Sequence, residues 1–205
     1  WTSTNAGRIQ RLINSNECII FMTHVKIGKW KPVFKGKVFT IEQVKSVLPN
    51  GKIKIMERAT RKSTIGVIAI DSKKRIFLNY EYKIALKKYI WKIPAGGIKD
   101  GETPEQTVHR ELMEELGYDA KKIKLFYKTM PQNSINKTHS IYLATQLTPR
   151  KLYDEEEISE IKSKPMTIDE AYKMAKNGEI DESETIAIIC KLYWNKQIID
   201  DFVEE

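Results

Sequence analysis

Residues Gly96–Tyr118 read GGIKDGETPEQTVHRELMEELGY, and this stretch decides the fold. Thr103, Pro104 and Gln106 supply an N-cap hydroxyl, a proline at the first helical position and a capping-box partner, while Gly117 supplies a left-handed stop. These signals predict a helix from about 104 to 116. At roughly 100° per residue, Val108, Leu112 and Leu116 form one apolar stripe, and Glu111, Glu114 and Glu115 crowd an adjacent arc about 100° wide. Like charges so spaced destabilise a helix by roughly a few tenths of a kcal/mol per pair, so they call for compensation. Arg110 is one compensator; a hard divalent cation, which prefers oxygen ligands, is another. Taken alone, the cluster also fits a solvated acidic helix face.

The full spacing goes further. Gly96, five residues, Glu102, seven residues, Arg110-Glu111, the bulky apolar Leu112, one residue, Glu114-Glu115, one residue, Gly117 and Tyr118 resembles the Nudix box at every fixed position. Tyr118 is an aromatic where that family more often has an aliphatic. The resemblance implies an α/β Nudix fold, a mixed β-sheet sandwiched between helices.

Composition agrees with one enzyme domain: 205 residues suffice for a sizeable core, and 41% apolar residues is ordinary for a globular chain. No apolar run approaches the roughly 18 residues of a membrane span, so no membrane partner is expected. Cys18-Ile19-Ile20-Phe21-Met22 is too short, and the residues before it lack a signal-peptide design. Cys18 and Cys190 have no zinc or disulfide spacing and read as buried thiols in a cytoplasmic protein. The first residue is Trp1, which leaves room for a longer N-terminus. Residues 1–99 carry 21 Lys/Arg against 5 Asp/Glu, net +16, and residues 100–205 carry 14 against 22, net −8, which together give the overall +8. The basic half is a solvated lysine face or an attractor for phosphates; nucleic acid is the least favoured partner.

Residues 1–29 carry a candidate short helix near Arg8–Asn14 and no other placeable feature. From residue 30 to 59 a hairpin is expected: the run Lys37–Val44 alternates, Leu48-Pro49-Asn50-Gly51 turns, and Lys52–Met56 returns. Residues 60–200 read as the main domain. In it, Ile65–Asp71 and Arg75–Tyr80 are core strands expected to pair across an Asp71–Lys74 turn. Further strands are expected at Lys124–Tyr127 and His139–Thr145, and helical segments at Ile168–Lys176 and Ser183–Asn195, broken at Asn177-Gly178.

Over residues 33–195 the chain looks like the ADP-ribose pyrophosphatase branch, on its N-terminal hairpin, its Trp91-Lys92-Ile93-Pro94-Ala95-Gly96 approach and its tail from Thr167 to Ile186. That branch implies a Mg²⁺ enzyme, with Mn²⁺ a substitute, that splits ADP-ribose into AMP and ribose 5-phosphate. It also implies a homodimer through the hairpin; an isolated hairpin is marginally stable and asks for a receiving surface in any case. By resemblance Glu111, Glu114, Glu115 and the Ala95 carbonyl hold the metal, and Glu102 and Arg110 brace the loop to the helix, Arg110 also counting among the catalytic residues with Glu114. The general base is expected in the run Asp154-Glu155-Glu156-Glu157, Glu155 before Glu157.

Departures bear on substrate: Lys92 stands where the branch usually has Glu, Tyr80-Glu81-Tyr82-Lys83 replaces an Arg-Gln-Tyr-Arg-like segment, and Met130-Pro131-Gln132-Asn133 replaces Ser-Pro-Gly. Tyr82, Lys83, Trp91 and Lys92 are the substrate-contact candidates, with Tyr80, Tyr82 and Trp91 either stacking a base or filling core. His109 is expected to be exposed, and His24 and His139 structural. Another nucleotide substrate (a dinucleoside polyphosphate, an oxidised nucleotide or capped RNA) or a non-catalytic nucleotide-sensing module are the alternatives; three repelling carboxylates argue against the last.

Overall fold

The computed structural model describes residues 25–129, 131, 134–153 and 161–204. Its strands are β1 (Lys26–Ile27), β2 (Lys31–Lys35), β3 (Thr40–Val47), β4 (Ile53–Thr60), β5 (Thr64–Ala69), β6 (Ile76–Lys83), β7 (Lys88–Lys92), β8 (Ala95–Gly97), β9 (Tyr118–Lys128), β10 (Ile135–Asn136), β11 (His139–Pro149) and β12 (Lys162–Met166). Helix α1 (Pro104–Glu111) runs on into a π-helical turn (Leu112–Leu116); α2 (Ile168–Lys176), α3 (Ser183–Tyr193) and α4 (Gln197–Glu204) follow β12. The expected helix near Arg8–Asn14, Cys18 and His24 lie outside the described residues. Two compact units result, one from Trp1–Arg61 with Pro131–Asn136, the other from Lys62–Met130 with Lys137–Glu205.

In the first unit β3 and β4 form the expected antiparallel hairpin, in register from Thr40↔Thr60 to Val47↔Ile53. Gly51 closes the turn at φ 78°, a left-handed conformation that favours glycine. The strand expected from Lys37 begins only at Thr40: Lys37 and Val38 form a bend, the Gly36 N–H donates to the Phe39 carbonyl, and β2 pairs with β3. Register puts Phe34, Ile41, Val47, Ile53 and Ile55 on one face, where Phe34, Val47, Ile53 and Ile55 are exposed. The opposite side of β3 buries Val44 and Ser46.

In the second unit β5 is buried along its whole length, as its unbroken apolar run requires. It pairs parallel with β11 and antiparallel with β8, in the order β8-β5-β11-β9. Ile65, Val67 and Ala69 on one face meet Val108 and Leu112 of α1 and its π-turn, while Ile68 and Ile70 on the other meet Ala171, Ile189 and Phe202 of α2 to α4. A mixed sheet thus lies between two helical layers.

The β5–β6 hairpin expected from the sequence does not form. Both edges of β5 are taken, so after a single Ile70↔Ile76 bridge the chain turns at Asp71 into a second sheet, β12-β6-β7. Asp71 Oδ1 fixes that turn by accepting from the Lys73 and Arg75 N–H groups at 2.9 Å each. β12, with Pro165 inside it, occupies an edge, where a missing N–H is tolerated. Cys190 is half-buried on α3 rather than buried.

Candidate active site

Every described residue of the site belongs to the second unit. Thr103 caps α1 as the sequence predicts: its hydroxyl accepts from Gln106 N–H at 3.2 Å, and the Gln106 amide oxygen accepts from Thr103 N–H at 2.8 Å. Gly117 ends the helix at φ 73°. The last turn is wider than the predicted α-helix, and such π-turns are over-represented at functional sites.

Arg110 organises the entrance. Its Nε and Nη2 fork Glu102 at 2.8 and 3.1 Å, Nη2 also reaches the Gly97 carbonyl at 2.9 Å, and Nη1 donates to Glu111 Oε1 and Glu114 Oε2 at 2.7 Å each. That uses every donor of the guanidinium, with the bidentate geometry that distinguishes Arg from Lys. Glu102 gains further bonds from the Lys99 N–H and the Thr107 hydroxyl, and Arg110 foremost among these partners holds its carboxyl down at about 2.

Of the carboxylates behind Arg110, Glu111 and Glu114 are buried, and the Glu115 side chain is 10% exposed. Burial pushes the Glu111 carboxyl up against the opposing pull of Arg110. Glu111 also explains Gly96, where a Cβ would lie 1.7 Å from Glu111 Oε1. Burial pushes the Glu115 carboxyl up to about 7, with Lys92 opposing. Glu115 Oε2 accepts from the Asn79 amide at 2.7 Å and from the Ala95 N–H at 3.1 Å. Glu114 Oε1 has the Lys99 ammonium at 3.9 Å.

Two charged groups and two polar ones complete the site from β6, β7 and β12. Lys92 is buried, its ammonium 3.1 Å from Glu81 Oε2, 3.4 Å from the Ala95 carbonyl oxygen and 3.7 Å from Glu115 Oε1. Burial works against the Lys92 charge, but Glu115 and Glu81 raise its pKa above the usual lysine value. Burial would raise Glu81 in turn, yet Lys92 and Lys83 hold it low. The Ser163 hydroxyl donates to Asn79 Oδ1 at 2.7 Å. Glu81, Asn79 and Ser163 were not singled out from the sequence; the one signal was an Asn inside an apolar strand, a polar group that must find partners when buried.

The four substrate-contact candidates are divided. Register pairs Tyr80 with Trp91 and Tyr82 with Tyr89, and these rings form one cluster, Tyr80 stacked on Tyr89 at 5.1 Å and tilted against Trp91 at 4.8 Å, with Tyr82 edge-on to Tyr89. Lys92, the partner of Asn79, lies on the other face of the ribbon, and so does Lys83, whose ammonium contacts Glu81. Glu155 and Glu157 lie outside the described residues. His109 is part-exposed and bonded to Asp119, and His139 is buried with its Nδ1 2.6 Å from the Thr64 hydroxyl, a structural role for each. A cavity of about 660 Å³ lined by Asp71, Arg75, Phe77, Leu116, Tyr118 and Thr145, among others, contains none of the box carboxylates.

Among the described residues no three carboxylate, imidazole or thiolate groups converge on one point. The donor set nevertheless suits a hard divalent cation. Its donors are all oxygen, and Arg110 Nη1 already bridges Glu111 and Glu114 as a cation would.

Comparison with known proteins agrees with this architecture. Residues 60–187 match the NUDIX domain. The chain is 33% identical over 159 residues to an ADP-ribose pyrophosphatase of Bacillus subtilis (strain 168), covering 75% of this chain and 84% of that protein. It is 30% identical to a methanol dehydrogenase activator of Bacillus methanolicus, covering 80% and 90%. The crystal structure of an ADP compounds hydrolase shares the fold, with a TM-score of 0.72 at 20% identity over 85% of this chain and 96% of that one. With the NUDIX domain matched over more than half of this chain and a box whose Glu102, Glu111 and Glu114 are joined by Arg110 in one bonded network, the chain belongs to the Nudix hydrolase family.

Proposed function

We propose that the protein hydrolyses the diphosphate of ADP-ribose, giving AMP and ribose 5-phosphate, with Mg²⁺ as its metal and Mn²⁺ as a substitute. The observation that carries this is the complete box, Glu111, Glu114 and Glu115 gathered behind Arg110, in a chain that covers most of an ADP-ribose pyrophosphatase relative.

Glu111, Glu114, Glu115 and the Ala95 carbonyl would hold the ion. A bound ion would neutralise phosphate oxygens and lower the pKa of water. Gly96 leaves room for Glu111, and Asn79 with the Ala95 N–H turns one oxygen of Glu115 away, so the chain's own bonds orient both carboxylates. Arg110 keeps Glu102, Glu111 and Glu114 in one frame as their shared cation. Water adds to one phosphorus, the bridging P–O bond breaks towards the other phosphate, and the proton passes to a carboxylate of the acidic run, Glu155 or Glu157. Lys83 offers a charge for phosphate on the Lys92 side of the ribbon, and Tyr82 and Trp91 offer flat faces for a base or ribose on its opposite side. The exposed apolar face of the hairpin sheet supports a homodimer. The free thiol of Cys190 suits the cytoplasm, and no helix among the described residues is long and apolar enough to cross a membrane.

The test is release of AMP from ADP-ribose within a panel of nucleotides with Mg²⁺, comparing the parent with Glu115→Gln. Turnover of ADP-ribose above the other members, reduced by about tenfold to a hundredfold in the variant, is expected. Equal turnover by the variant would remove Glu115 from the ligand set, and preference for another panel member would replace the substrate.

A further inference from the structure

The two oxygens of Glu115 are held unequally. Oε2 accepts from the Asn79 amide and from the Ala95 N–H, while Oε1 faces the Lys92 ammonium at 3.7 Å. The same ammonium lies 3.4 Å from the Ala95 carbonyl oxygen, so it stands on two of the four groups assigned to the metal. Glu81 holds it from a third direction at 3.1 Å. The arrangement follows from strand register: Asn79 pairs with Lys92, and Glu81, two residues along β6, shares their face. With its side chain only 11% exposed, Lys92 is committed to this pocket rather than to solvent.

We propose that Lys92 is a built-in counter-cation of the Nudix site, seated on Glu115 Oε1 and the Ala95 carbonyl, which an incoming divalent ion must displace towards Glu81. The proposal rests on the ligand assignment above and goes beyond it, because it makes metal affinity depend on a residue that is not a ligand. An ammonium on a four-carbon stem suits the part: it is a point charge that can move a short way without losing a planar bonding geometry, as Arg110 could not. Glu81 gives it somewhere to go, so displacement strands no buried charge. The site would then keep its carboxylates neutralised in the absence of metal and take up a divalent ion weakly until the diphosphate adds its own negative charge.

The test is Mn²⁺ binding without substrate, followed by the loss of the free-ion electron paramagnetic resonance signal, for the parent, Lys92→Met, Glu81→Gln, the double variant and Glu115→Gln. Lys92→Met should bind Mn²⁺ tighter by roughly tenfold or more, because an opposed unit charge under 4 Å away has been removed. Glu81→Gln should weaken binding in the parent and have little effect once Lys92 is Met, a coupling that a long-range charge effect of Glu81 would not produce. Should Lys92→Met not fold, Lys92→Gln, which keeps a donor for Glu81, carries the same expectation. Unchanged Mn²⁺ affinity on loss of Lys92, with Glu115→Gln still abolishing binding, overturns the counter-cation and leaves the ligands standing. Glu115→Gln binding as the parent does would instead overturn the ligand reading itself.

Discussion

The box helix and the N-terminal hairpin satisfy their groups in opposite ways. Around α1 almost every polar atom is answered from within the unit: Thr103 and Gln106 cap each other, Arg110 spends all its donors, and Glu102 accepts from a side-chain fork, a hydroxyl and a backbone N–H. The hairpin's backbone is paired, but Phe34, Ile53 and Ile55 stand 62%, 68% and 56% exposed on one sheet face. The first region is finished by its own residues, and the second presents a surface suited to something else. A substitution in the box should therefore cost stability, and one on the hairpin face should cost the proposed association.

The largest effect is expected at Arg110. Arg110→Met leaves Glu102, Glu111 and Glu114 without their shared cation, and breaking a mostly buried ion network in this way costs about 3 kcal/mol or more. Urea unfolding of the metal-free protein measures it; a loss below about 1 kcal/mol would mean the network is dispensable. Gly96→Ala comes next, because its methyl falls 1.7 Å from Glu111 Oε1 and the carboxylate must leave its place. Overpacking of this kind costs about 1 to 3 kcal/mol, and displacement of the proposed metal ligand should lower divalent-ion-dependent turnover at least about tenfold. A variant with the parent's metal affinity would show that Glu111 has another productive position.

Much of this was legible beforehand, and what was not has physical causes. The cap at Thr103, the stop at Gly117 and the bracing of Glu102 by Arg110 are encoded within a few residues of one another, so spacing alone exposes them. β7, β8 and β12 were missed because their stability comes from partners distant in sequence: the run Lys-Ser-Lys-Pro-Met is a strand only because β6 supplies its ladder. The same holds for the site. Glu111 and Glu115 are announced by the box, but Lys92 reaches them because β6 and β7 set it opposite Asn79, and an isolated sequence contains no record of that register. On sequence alone Lys92 groups with Tyr82 and Trp91, which the ribbon turns to its other face.

A smaller effect should appear in acid. Glu102 is held at about 2 in the folded protein against an ordinary 4.5, so its contribution is complete above about pH 4.5 and is lost as the pH falls through the folded value. The difference in unfolding free energy between the parent and Glu102→Gln should therefore be constant from pH 8 to 5, as a linkage of this sign requires, and shrink steadily below that. A difference independent of pH would show that the fork acts by shape rather than by charge.

The smallest effect on the stability of the chain, and the sharpest on its association, should come from the hairpin face. Ile53→Lys with Ile55→Lys places two charges where side chains are already mostly exposed, and surface changes of this sort stay within about 0.5 kcal/mol of stability per site. If the face is a dimer seam, the same charges oppose themselves across the two-fold, where like-charge juxtaposition costs several kcal/mol. Sedimentation equilibrium should then give a dimer for the parent and a monomer for the double variant, with unfolding midpoints compared at matched protein concentration because dimerisation itself stabilises the folded chain. A monomeric parent removes the seam outright. A variant that stays dimeric moves it to another surface and leaves Phe34, Ile53 and Ile55 to be explained by a different partner. A variant that is monomeric yet retains metal binding would draw the line between the two regions where the bonding draws it: one built to be complete, the other built to be met.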